Sequence, residues 1–244
     1  MAGFKTHITF SIVLGAGYGT AAYFLYYVPW PSCVLAGGLC GVSGMLPDMD
    51  SGPGVPLRES MAFAAAVVPV MLIHHLLRMG LSNEMIILIC AGLYLLIRFG
   101  GMTLLRLFTE HRGMFHSLPA AAIFGEIAFL LASGDTNIRL YKAGAVVLGY
   151  MSHLFLDEIY SFEWKRGGVR LKSSFGTALK IVGHGWWPNI SVYAKLALLT
   201  FVVLQQPNWM QQHFGGNTEK AGAPKAPLAQ PPQSASKVKV WPWQ

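Results

Sequence analysis

Residues 85–105 read MIILICAGLYLLIRFGGMTLL, with Arg98 the one charge in the run. A helix needs about 20 mostly apolar residues to cross a hydrocarbon core of roughly 30 Å, so this stretch is long enough to span a bilayer. Six further apolar runs lie near residues 9–28, 32–46, 61–79, 118–133, 142–160 and 190–206, the second of them short. The chain as a whole agrees: 53% of its 244 residues are hydrophobic and only 12% charged, against roughly 25% charged in an ordinary soluble domain. These runs predict an all-α membrane protein, a polytopic bundle of about seven transmembrane helices over residues 1–206.

Beyond the bundle, residues 207–244 are rich in Pro, Gly, Ala, Gln and Lys, a composition that predicts a disordered tail. Within it, the longest polar break is residues 161–188, too polar to cross lipid; Val169–Leu171 followed by Ser173–Leu179 reads as a short strand or hairpin over one membrane face. Lys5 and His7 precede the first run without a small-residue cleavage pattern, so that run is expected to stay as an anchor. Cys33, Cys40 and Cys90 sit inside apolar runs and are assigned neither a disulfide nor a metal role.

The net charge of +7 is explained by loop asymmetry, and no nucleic-acid partner is needed to account for it. A cytoplasmic N-terminus places Lys5, Arg58, Arg106, Arg112, Lys165, Arg166, Arg170, Lys172 and Lys180 on the inner side, and only Arg78, Arg139 and Lys142 in the short outer loops. That distribution follows the positive-inside rule. The tail lysines oppose it, but charges far from a span count for little.

Ionisable residues at membrane depth are costly, so their positions carry information. Thr6-His7 precedes the first run, Leu46-Pro47-Asp48-Met49-Asp50 follows the second, and His111-Arg112-Gly113-Met114-Phe115-His116-Ser117 precedes the fifth. His153 and Asp157 close the sixth, and His184 lies in the inner loop. Counted from a cytoplasmic N-terminus, all fall on the inner side. His153 and Asp157 are four apart, which sets both side chains on one helical face, about 5 to 6 Å apart at Cβ. A bend at Gly113 would bring His111 and His116 inward, and around Met49 an extended segment would separate Asp48 and Asp50 where a turn would converge them.

Imidazole and carboxylate together suit zinc, manganese or iron. His7, Asp48, Asp50, His111, His116, His153 and Asp157 exceed the four ligands of one tetrahedral zinc, so one or two divalent ions, zinc or manganese, are expected. Each residue also has a plainer reading: Asp48 and Asp50 after Pro47 are ordinary turn residues, His153 a packed histidine, Asp157 a loop cap. What favours a site is that four separate segments place them on one side. Two further charges, Arg98 and Glu126, lie at matched depths and are expected to pair between neighbouring helices. His74, His75 and His213 read as interfacial or remote.

These motifs, with Gly149-Tyr150-Met151-Ser152-His153 through Asp157, resemble the YdjM-like family of bacterial inner-membrane proteins over residues 1 to about 160. The resemblance implies an inner-membrane location, metal binding at those His and Asp positions, and a hydrolase assignment without a named substrate. Ser51 stands where relatives often carry His, and Phe115 where they carry Thr. A more distant likeness is to the helical His-x-x-x-Asp pair of zinc-dependent phospholipase C and P1-type nucleases, which points toward phosphoesters.

The expected function is therefore a membrane-bound, metal-dependent hydrolase at the cytoplasmic face, acting on a phosphoester or lipid-like small molecule among membrane lipids. Asp48 or Asp50 would orient the attacking water, and Arg112 would hold a phosphate or carboxylate oxygen. The alternative is a noncatalytic metal-binding membrane protein, an ion transporter or a sensor. Transport predicts ligands near the midplane in broken helices, whereas these gather at one face.

Overall fold

The computed structural model describes residues 3–50, 55–101, 103, 115–165, 168–171, 179–183 and 185–206. Each of the seven apolar runs forms a helix: α1 (Phe4–Tyr26), α2 (Trp30–Ser43), α3 (Val55–Arg78), α4 (Asn83–Leu95), α5 (Leu118–Leu131), α6 (Thr136–Ile159) and α7 (Trp186–Leu204). A 3-10 turn, Leu46–Asp50, follows α2, and α4 runs on into a π-helical turn, Leu96–Gly100.

Most helices begin several residues before the apolar run that announces them. Side-chain caps close the first turns of α4, α5 and α6. Ser82 accepts a bond from the Met85 N–H at α4, Ser117 from Ala120 at α5, and Asp135 from Ile138 at α6, each satisfying a donor that has no partner within its own helix. The early start of α1 moves His7 from a position ahead of the span, where the sequence places it, into the first turns of the helix.

Among the described residues, four helical stretches are long and apolar enough to cross a membrane: Phe4–Tyr26, Leu57–Arg78, Asn83–Gly100 and Trp186–Leu204. With 14 residues each, α2 and α5 reach only about 21 Å. α6 has the length, but it carries Arg139, Lys142, Asp157 and Glu158. It is the central element, with α1, α2 and α5 packed on it, while α7 lies on α5, and α3 pairs with α4.

Glycines set the closest approaches. A Cβ on Gly15 would lie 2.4 Å from the Gly37 carbonyl, one on Gly19 2.8 Å from that of Cys33, and one on Gly149 2.0 Å from that of Cys40. The α1–α2–α6 interface thus depends on backbone contact that no larger residue permits. Cys33 and Cys40 are buried thiols there, and Cys40 Sγ donates to the Ser11 carbonyl.

Two expectations change. The polar break does hold a hairpin: the strand over Gly168–Leu171 pairs antiparallel with Phe162–Lys165 ahead of it, while residues 172–178, part of the expected second half, lie outside the described residues. And Arg98 does not pair with Glu126. Glu126 accepts a 2.6 Å hydrogen bond from Thr200 of α7, and Arg98 lies over the Phe99 ring. Matched depth cannot reveal which helices are neighbours, and α5 is flanked by α6 and α7, not by α4.

Candidate metal centre

Four chain segments meet at one end of the bundle. α1 contributes His7, the 3-10 turn Asp48, the residues before α5 His116, and the last turns of α6 both His153 and Asp157. Along α6, Tyr150, His153, Leu154 and Asp157 share the spacing of one helical face, and all are buried. The 3-10 turn is anchored by Met49, which packs with Leu57 and Met61 and leaves Asp48 partly open.

Asp48 Oδ1 lies 3.6 Å from His116 Nε2 and 3.5 Å from His153 Nε2. Asp157 Oδ2 lies 3.6 Å from His153 Nε2 and 3.9 Å from His116 Nε2. Histidine and aspartate thus alternate around a quadrilateral. The second oxygen of Asp157 faces His7, whose Nε2 is 3.3 Å away, and the His7 and His153 rings stack with centroids 3.7 Å apart.

Every one of these separations exceeds the 2.7 to 3.2 Å of an N–H···O bond. They match the edge of a coordination polyhedron instead: donors about 2.1 Å from a tetrahedral ion stand about 3.4 Å from one another. Two sets, His7 with Asp48 and His153, and His116 with His153 and Asp157, bring their ligand atoms within 4.8 Å and can hold a metal ion.

The imidazoles are prepared for that role. His153 Nδ1 is 2.7 Å from the Gly44 carbonyl. A carbonyl only accepts, so Nδ1 carries a proton and Nε2 is the ring atom turned toward the carboxylates. Nε2 is buried there without a hydrogen bond, as is Nδ1 of His7. Leaving such a group bare in a protein interior costs about 1 to 3 kcal/mol, and an ion would recover that cost at His153 Nε2. Burial pushes the Asp48 carboxyl up, but the imidazoles of His116 and His153 outweigh it and hold the group well below the usual carboxylate range. It is an anion at neutral pH, as a metal ligand must be. The donor set and its geometry fit a divalent ion.

Supporting groups complete the site. The Tyr150 hydroxyl donates to the Phe115 carbonyl, beside His116. Ser117 caps α5, and the Leu118 N–H donates to the Lys180 carbonyl at 3.2 Å, tying the stretch ahead of α7 to the same segment. Leu179 packs on Ala120, Tyr150 and Leu154. Sequence reasoning named neither Gly44 nor Tyr150 as a site residue. Tyr150 lies three residues before His153 on the shared helical face, a usable signal, whereas a backbone carbonyl leaves none.

Of the seven ligand candidates, the structure gathers His7, Asp48, His116, His153 and Asp157. His111 and Arg112 lie outside the described residues, as do His184 and the side chain of Asp50, whose backbone closes the 3-10 turn. His74 and His75 lie in the last turns of α3, outside both ligand sets.

No curated protein and no solved structure matches the chain. A family model, that of the YdjM inner membrane protein, matches residues 1–213. With the apolar helices described above, that match gives the protein a membrane location, and the chain belongs to the YdjM inner membrane protein family.

Proposed function

We propose that the protein is a membrane-bound, metal-dependent hydrolase whose reaction takes place at the end of the bundle where His7, Asp48, His116, His153 and Asp157 meet. The observation that carries this reading is the quadrilateral of alternating imidazole and carboxylate groups, spaced 3.5 to 3.9 Å apart as donors around one ion would be. In this reading all seven helices cross the bilayer, α2 and α5 with help from the turns that extend them. The N-terminus is cytoplasmic, so the site faces the cytoplasm.

A divalent ion held there, zinc or manganese, supplies a Lewis acid and lowers the pKa of water toward about 7. The chain's own groups do the rest. His153, fixed by Gly44, and Asp157, shared between His7 on one oxygen and His116 and His153 on the other, hold the arrangement rigid. Asp48 and His116 have the more open side chains, 24% and 15% exposed against 0 to 3% for the other three. Substrate therefore meets the site on their side, where Asp48 is placed to orient the attacking water. Arg112, four residues before His116, is proposed to bind the phosphate oxygen of a phosphoester or lipid-like substrate.

The test is elemental analysis of the purified protein, followed by assay against a panel of phosphoesters and lipids. Metal-dependent turnover that is lost in both His116→Ala and Asp157→Ala is the expected result. Metal-dependent uptake into proteoliposomes without hydrolysis would instead identify a transporter.

A further inference from the structure

An apolar groove of about 600 Å³ runs along the seam between α1 and α2. It extends from Ile8 to Phe24 on α1 and from Val42 back to Trp30 on α2, with Phe63 of α3 on one wall, and no charged side chain lines it. Along α1 it is about 24 Å long, whereas one leaflet of a roughly 30 Å hydrocarbon core is about 15 Å deep. The groove exists because the seam is made of glycine. Gly15 meets Gly37 through the backbone, and Gly38 beside it adds no side chain, so the floor is main chain and the flank of the seam stays hollow. A Cβ on Gly38 would meet nothing within 4 Å.

One end of the groove is shared with the metal centre. Ile8 directly follows His7, whose Nε2 faces Asp157. Ser11 Oγ donates to the Gly41 carbonyl at 2.7 Å and lies against Gly44, whose own carbonyl fixes His153. On the α3 side, Met61 packs with Met49, the neighbour of Asp48, and Phe63 stands two residues further along the helix. The three helices that bound the groove therefore also carry His7, lead into the Gly44 carbonyl, and hold the turn that presents Asp48.

Small-molecule sites are mostly apolar clefts of about 300 to 1,000 Å³ in which a few polar groups fix the orientation of the ligand. Here the polar groups all collect at one end, and the rest is a long uncharged channel at membrane depth. That is the outline of a lipid, with a polar head and a hydrocarbon chain. Ile12, Phe24 and Val34 are exposed along the groove, so a chain can enter sideways without leaving the bilayer. A helix from a second copy would match the glycines, but it would leave the ligand-bearing end unused; a lipid matches both. Resting on the hydrolase reading, we infer that the substrate is a phospholipid, one hydrocarbon chain of which lies in the α1–α2 groove while its phosphoester meets the metal centre.

The test combines labelling with turnover, using the full chain in phosphatidylcholine vesicles that contain a little phosphatidic acid with a diazirine on one acyl chain. Irradiation is expected to label α1 and α2 several-fold more heavily than α4 and α7, which are apolar and almost wholly exposed. Gly38→Leu fills the groove without touching the α1–α2 backbone contact, and should bring that labelling down to the level of α4. Gly17→Leu, also in open space but outside the groove, should label like wild type. Gly38→Leu is further expected to lower the preference for long-chain phosphatidic acid over p-nitrophenyl phosphate, read as the ratio of kcat/KM, by about tenfold or more, with Gly17→Leu keeping the wild-type ratio. Even labelling of every lipid-facing helix, labelling that Gly38→Leu does not reduce, or a seam labelled less than α4, as a covering second copy would produce, overturns the groove. Selective labelling with an unchanged ratio in Gly38→Leu overturns its assignment to the substrate. Selective labelling with no turnover of either ester by the metal-loaded wild type supports the lipid groove and overturns the hydrolase reading instead.

Discussion

Removing the Tyr150 hydroxyl would release the Phe115 carbonyl and loosen the segment that presents His116. On the proposed reading, Tyr150→Phe is expected to weaken divalent-metal affinity by about 10- to 100-fold, the range found when a group supporting a metal ligand is lost. Competition titration against a chelating dye measures it, and unchanged affinity would show that Tyr150 only fills space. Asp157→Asn tests the ligand itself. It keeps the shape of a side chain that faces three imidazoles but removes the charge, so metal content measured by elemental analysis should fall to background. At this scale the sequence was informative where the chemistry resides in side chains. The spacing of His153 and Asp157 announced a shared face, and the structure puts both on it. Gly44 was invisible because its contribution is a main-chain oxygen, and its position opposite His153 follows from how α2 meets α6.

At the scale of helices, the glycines separate packing from propensity. A Cβ on Gly149 would meet the Cys40 carbonyl and Ser43 Oγ at about 2 Å, whereas one on Gly38 meets nothing within 4 Å. Gly149→Ala is therefore expected to destabilise the bundle by about 1 to 3 kcal/mol or more through overpacking. Gly38→Ala should be neutral or stabilise it by up to about 1 kcal/mol through helix propensity. Thermal unfolding of the two variants in one detergent compares them, and equal midpoints would refute the close α2–α6 contact. Hydropathy located every helix, because an apolar run reports the solvent it meets. It could not rank neighbours, which is why Arg98 and Glu126 were matched by depth although Glu126 is bonded to Thr200. That bond predicts a further effect: Thr200→Val deprives Glu126 of its donor and should loosen α7 at a cost of about 1 to 3 kcal/mol, seen as faster proteolysis near Gly185.

For the molecule as a whole, the proposed topology sets the His/Asp cluster and the turn between α3 and α4 on opposite membrane faces. A reporter fused at the N-terminus should read as cytoplasmic, and one inserted at Gly80, between α3 and α4, as external. The reverse pattern, or both on one face, would remove the cytoplasmic assignment. The unequal burial of the five gathered side chains bears on timing as well as strength. Asp48 and His116 form a vestibule, while His7, His153 and Asp157 lie sealed behind it. On the proposed reading, an arriving ion would shed its hydration in stages, meeting the outer pair before the inner three. Damage to the vestibule then slows loading, and damage to the sealed trio hastens escape, so stopped-flow kinetics can tell the doorway from the lock even where two variants share one equilibrium constant.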